Sequence, residues 1–182
     1  KDGHHHFFGT QHKDQKDGKK QRREKRRHVR AVKKHVTDAM NQAHAAGKKI
    51  NFHTEGMGGG SKGTHEREIH DHAMAHAKKH GMTMHSKSAE PDNLPHEGIM
   101  KDDSKRSHAE MRIHFPRDHG GKPTKESIKQ DANNRYRQKH WGNNAKDAHK
   151  AGHASIHIGG ESHAGRDTAE GHEEHGTHGV KL

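Results

Sequence analysis

Histidine dominates the chemistry this chain can do: 26 of its 182 residues are His, and none is Cys. The absence of thiols excludes disulfides, cysteine nucleophiles and cysteine-ligated zinc fingers. The most ordered histidine set is His65, His72, His76 and His80, spaced seven, four and four residues apart. Residues four apart share a helix face, and two imidazoles so placed can chelate zinc, nickel or copper. His72, His76 and His80 are therefore candidate ligands of a divalent transition metal. The competing reading is surface or half-buried histidine that takes metal only adventitiously. The run His70-Asp71-His72-Ala73-Met74-Ala75-His76 is not H-E-x-x-H. His163, His172, His175 and His178, near Glu173 and Glu174, carry the same ambiguity. Ser107-His108-Ala109-Glu110 is half of a zinc-deaminase signature whose other half needs two cysteines, so that chemistry is excluded.

A second stretch points to phosphate. Gly58-Gly59-Gly60-Ser61-Lys62-Gly63 fits G-x-G-x-x-G, between a strand pattern and a helix pattern. Glycines let a backbone turn tightly or approach a ligand, and the first turn of the following helix offers N–H groups to an anion. Gly58, Gly59, Gly60, Ser61, Lys62, Gly63 and Thr64 are the candidate phosphate-binding residues, and a nucleotide is the cofactor they suit. The P-loop pattern fails because Lys62 precedes Gly63. The next strand-like piece runs into Ser86-Lys87-Ser88 where a dinucleotide fold would place an acid, which suits phosphate better than a ribose hydroxyl. The bland alternative is a flexible glycine linker.

A third stretch is basic. Lys19, Lys20, Arg22, Arg23, Lys25, Arg26, Arg27 and Arg30 lie within twelve residues and are offset only by Glu24. They repel one another unless solvent or an anionic partner screens them, and nucleic acid is the partner they fit. The whole chain carries a formal charge of +11 with His neutral, which agrees with a polyanionic partner.

The elements that must position these residues come from a poor supply of apolar side chains. Val, Ile, Leu and Phe together make up about 9% of the chain, below the roughly 20% guide for a packed core. Composition alone points to disorder, unless a partner supplies burial or neutral imidazoles act as filler. No run of apolar residues approaches a membrane span or signal peptide, so the chain is expected to be soluble, intracellular or within a particle. It begins at Lys1, as after removal of an initiator Met or a leader.

Periodicity predicts a first strand near residues 4–10 (or a tag remnant) and a helix over 19–46 with Val29, Val32, Val36, Ala39, Met40 and Ala43 on one face. A strand over 50–53 and a helix from Thr64 to His80, stopped by Gly81, follow. Further strands are expected at 82–86, 112–116 and 154–158, with a loop over 89–105. Two helices are expected at about 123–140 and 145–151, the first burying Ile128, Ala132 and Tyr136. The order predicts an α/β fold, a Rossmann-like three-layer sandwich with a short, mostly parallel sheet. Residues 1–158 form one domain in this reading, and 159–182 form a polar Gly/His/Glu-rich tail. The loop Arg117–Lys122 follows a strand at the edge where α/β sheets bind ligands, and Glu126 beyond it is a candidate base.

The element order and two turns resemble the Rossmann-like phosphoribohydrolases of the "Lonely Guy" type and their nucleotide-sensing relatives. Their GGGxxG turn is matched by Gly58–Gly63. Their later PGGxGTxxE turn corresponds to Pro116–Glu126, with three inserted residues, Pro123 in place of a Gly, and a shifted Glu. The family's Arg-Lys pair has its nearest counterpart in Lys105-Arg106, in reversed order. The resemblance covers residues 4–158 and implies a phosphate site at Gly58–Thr64 and catalytic roles for Arg106 and Glu126. Three functions follow from these readings: a basic nucleic-acid- or phosphate-binding component of an oligomer or larger assembly; a Rossmann-like nucleotide-binding enzyme, phosphoribohydrolase-like or NADP-dependent; or a histidine-rich metal-binding protein.

Overall fold

Phe7 and Phe8 are neighbours in the first strand, β1 (His5–Thr10), so they must face opposite sides of the sheet. Both are buried, which requires cover on both faces. The computed structural model describes residues 3–11, 13–55, 59–60, 62–96, 125–160 and 179–180. It is an α/β fold around a parallel sheet. The strands β1, β2 (Ile50–Thr54), β3 (Met84–Ser88), β4 (Ala154–Gly160) and the two-residue β5 (Gly179–Val180) lie in the order β3-β2-β4-β1-β5, and every pairing is parallel. β4 lies between β1 and β2, whereas the two common doubly wound orders keep β1 beside β2.

Register sorts the side chains. Ile50 aligns with Ala154, Phe52 with Ile156, and Phe8 with Ile158. These six residues share one face and form the main core with two helices. α1 (Lys19–Ala45) contributes Val29, Val32, Val36, Ala39, Met40 and Ala43, the face expected from periodicity. α2 (His65–His80) contributes Ile69, Ala73 and Ala77. Thr64 caps α2, its hydroxyl accepting from the Arg67 N–H at 3.2 Å, and Gly81 ends it in the left-handed region at φ 66°.

The opposite face is built differently. Phe7, Ala89 and Trp141 form a small apolar cluster there. Around it the alternate positions are imidazoles: His5, His53 and His157 are all buried. The His157 ring lies 4.4 Å from Phe7 and 5.0 Å from Trp141, centroid to centroid. His5 Nδ1 is hydrogen-bonded to Ser155 Oγ at 2.8 Å. Parallel strands normally read as continuous aliphatic runs because both faces are covered. Here histidine takes those positions on one face, which is why the strands look too polar in sequence.

Three expectations need correction. β3 begins two residues later than the periodicity suggested. The Met82 N–H still closes α2 by bonding Ala77 O at 2.9 Å, and the sheet is first met where Thr83 O accepts from Ile50 N–H at 2.9 Å. The two expected C-terminal helices are one, α3 (Lys125–Lys150). A mid-helix Gly costs only about 1 kcal/mol, and burial of Trp141, Ala145 and Ala148 at helical spacing outweighs Gly142. Ile128 and Tyr136 are not on a buried side, being 60% and 46% exposed. The chain forms two compact units, one of Lys1–Glu90 with Trp141–Leu182, the other of Pro91–His140. Among the described side chains of the second unit the buried helix position is Asn133, one residue round from Ala132, whose amide both accepts from and donates to the His96 main chain at 2.9 Å. The expected strand at 112–116 and most of the tail lie outside the described residues, while Gly179–Val180 pairs with β1.

Burial makes stability depend on pH. Burial, the largest cause, holds His65 and His72 below their ordinary value of 6.5. The folded chain therefore binds fewer protons than the unfolded chain between each lowered value and 6.5. This contribution is complete above about 6.5 and is lost as pH falls through that window. The urea midpoint should be lower at pH 5.5 than at pH 7.5; an unchanged or higher midpoint would contradict the assignment.

Candidate functional site

The glycine turn leaves the carboxyl end of β2, at the edge where β1 and β4 also end. Thr54 Oγ1 accepts from the Gly59 N–H at 3.0 Å and anchors the turn to the strand. Gly59, Gly60 and Gly63 all have positive φ, between 81° and 94°. At Gly60 a Cβ would stand 3.0 Å from the Arg67 amide nitrogen, and at Gly59 it would stand 3.1 Å from the His70 ring. Arg67 Nη1 donates back to Gly60 O at 3.3 Å. These glycines thus allow the turn to lie against the first turns of α2, an intrachain reason for their presence. Lys62 is exposed at the same turn, and Gly58 and Ser61 lie outside the described residues. Two acids, Glu66 and Glu68, occupy the first turn of α2, where the helix dipole favours negative charge. Across the edge Glu55 Oε1 accepts from the Gly160 N–H at 3.0 Å.

The basic helix divides into paired and solvent-facing cations. Arg26 forms a bidentate pair with Glu68, at 2.7 and 2.9 Å, and Lys33 reaches the same carboxylate at 2.9 Å. The Arg26 hydrogen bond, followed by that of Lys33, holds the Glu68 carboxyl at about 2 despite partial burial. Lys25 pairs with Asp17 at 2.6 Å. Lys19, Lys20, Arg22, Arg23, Arg27 and Arg30 are exposed, as is Lys34 one turn on, and none has an ion pair with a described residue.

The histidines of α2 are tied to α1. His72 Nε2 is hydrogen-bonded to Thr37 Oγ1 at 3.0 Å, and His76 Nε2 to Asn41 Oδ1 at 2.8 Å. The His76 and His80 rings stand 4.5 Å apart. Among the described residues no group of three His, Asp or Glu side chains converges on a point that could hold an ion. Arg106, the 105–122 region and the tail histidines lie outside the described residues, as does the Glu126 side chain, whose backbone is in α3.

One constellation is not visible in sequence. His70, buried on α2, is hydrogen-bonded through Nε2 to the Ser86 hydroxyl of β3 at 2.7 Å and through Nδ1 to the Asp71 carboxylate at 3.1 Å. The His70 bond is the main cause holding the Asp71 carboxyl below its ordinary range, and Arg67 adds to it. Register with Phe52 puts Ser86 on the α2 face, and that register is set by strand pairing and not by the local pattern.

The turn geometry is testable. Gly60→Ala should destabilise the fold by about 1–3 kcal/mol through backbone strain and crowding at the Arg67 amide, read as a lower urea midpoint. A midpoint equal to the parent's would mean the turn does not lean on α2. No protein-family model, curated protein or solved structure matches this chain, so the reading of its function rests on the arrangement of its own side chains.

Proposed function

We propose that the chain is a nucleic-acid-binding protein that grips the phosphate backbone through α1, as a component of a larger nucleic-acid assembly. The observation that carries this is a cationic stripe. Lys19, Arg23, Arg27, Arg30 and Lys34 follow one another at spacings of four, four, three and four and are all exposed. At about 1.5 Å per residue the stripe is roughly 22 Å long. Like charges at these spacings destabilise a helix in isolation, and a line of phosphates relieves the repulsion. The adjacent row, Arg26 and Lys33, is already engaged by the Glu68 carboxylate, so helix packing and anion binding use different cations.

Base reading has little to work with. Phe7, Phe8, Phe52 and Trp141 are buried, and Tyr136 is the exposed aromatic among the described residues. Stacking on bases is therefore limited, and phosphate contacts alone carry no sequence information.

Binding to a mixed-sequence duplex should weaken linearly in log affinity against log salt, with a slope near −4 if four of the cations reach phosphates at about −0.9 each. Replacing Arg23, Arg27 and Arg30 together by Gln, with Arg26 left intact, should shrink the slope by about 2.7 and weaken unrelated sequences equally. A salt-independent affinity, or a triple variant that binds like the parent, would leave the stripe a solvated surface.

A further inference from the structure

We propose that Ser86 is an activated nucleophile that accepts an acyl group from an ester, with His70 as its general base and Asp71 as the carboxylate that orients the base. The geometry is a continuous relay from Ser86 Oγ to His70 Nε2 at 2.7 Å and from His70 Nδ1 to Asp71 Oδ1 at 3.1 Å. A nucleophile bonded to a base, itself held by a third group, is the arrangement by which serine hydroxyls are activated on unrelated folds. This inference is independent of the nucleic-acid reading and uses none of its residues.

The tautomer follows from the partners. A carboxylate can only accept, so Nδ1 carries the proton in the Asp71 bond. In the neutral ring Nε2 then has its lone pair available and accepts from the Ser86 O–H. The ring cannot readily turn away. It is 3% exposed, the Gly59 backbone stands against it, and Phe52 meets it edge-on at 5.7 Å. Asp71 is itself fixed by Arg67, whose Nε lies 3.2 Å from Oδ1. Asp71 is 58% exposed, so water screens its effect on the ring and turnover is expected to be slow.

Ser86 is exposed, so a substrate can reach it. Among the described residues β3 is the end strand of the sheet. Ile50 N–H bonds Thr83 O at 2.9 Å and Ala89 N–H bonds Thr54 O at 2.8 Å. Alternate residues of a parallel strand bond the same neighbour. Thr83, His85, Lys87 and Ala89 therefore face β2, and the Ser86 N–H is directed to the other side. That main-chain donor lies beside the nucleophile, where an oxyanion would develop.

The steps balance without any further reagent. Ser86 Oγ attacks the ester carbonyl carbon as its proton passes to His70 Nε2. The carbon–oxygen bond to the alcohol breaks, and the departing alkoxide takes that proton. Water then attacks the Ser86 ester, giving its proton to Nε2 and from there to Oγ, and the carboxylic acid leaves.

The test uses the intact chain and a fluorophosphonate probe. Attack by Oγ forms an O–P bond and expels fluoride, which leaves a stable adduct for mass spectrometry. One adduct is expected, on Ser86, and the exposed-site variant Ser86→Ala should lose it. Asp71→Asn should slow labelling about tenfold, less than the roughly 100-fold or more of a positioned base itself because water screens Asp71, and Asp71→Glu should recover part of the rate. Hydrolysis of p-nitrophenyl acetate should show the same order. No adduct, an adduct elsewhere, or equal labelling of Ser86→Ala would overturn the proposal. Equal rates for Asp71→Asn and Asp71→Glu would remove Asp71 from it.

Discussion

The structure depends on concentrating a small stock of apolar side chains on one face of one sheet. Phe8, Ile50, Phe52, Ile156 and Ile158 meet the valines of α1 and Ile69 of α2 there. Burying such side chains stabilises by about 1.5–3 kcal/mol each, so spreading them over two faces would leave neither with a sufficient core. The other face is filled by rings that are flat, of moderate size, and able to form hydrogen bonds where they meet polar neighbours. His157 between Phe7 and Trp141 shows the packing role, and His5 on Ser155 the hydrogen-bonding one.

The same scarcity places weight on polar ties between α1 and α2. Glu68 binds Arg26 and Lys33, Thr37 meets His72, and Asn41 meets His76. Surface ion pairs contribute little alone, but a bidentate arginine sharing its carboxylate with a lysine is a network with defined geometry. α2 takes up Arg26 and Lys33, and the row of cations next to them on α1 faces solvent. The packing of one helix thereby decides which charges of the other are available to a partner.

The glycine turn serves a related purpose. It lies against the start of α2 and covers one side of His70, while β3 brings Ser86 to the other end of the ring. Strand order contributes as well. With β3 at the end of the sheet among the described strands, Ser86 is at once exposed to solvent and held by a buried base. A central strand would have buried both.

Local patterns in the sequence determined a good part of this architecture. The α1 face from Val29 to Ala43, the Thr64 cap, the Gly81 stop and the β2 and β4 strands all follow from spacing within a few residues, because helices and turns are closed by near-neighbour bonds. The sequence also showed the cations of α1 and the glycines of the turn, but not how each would be used. Whether Arg26 faces a partner or Glu68 depends on a residue 42 positions away. That Gly142 would be spanned by a helix depended on Trp141 finding Phe7, and that histidines would fill a core depended on strands brought side by side. The His70–Ser86 bond likewise joins a helix to an adjacent strand, through a register that no periodicity encodes. Only tertiary structure decided these, because each is a contact between elements whose relative placement is set by the burial of other residues.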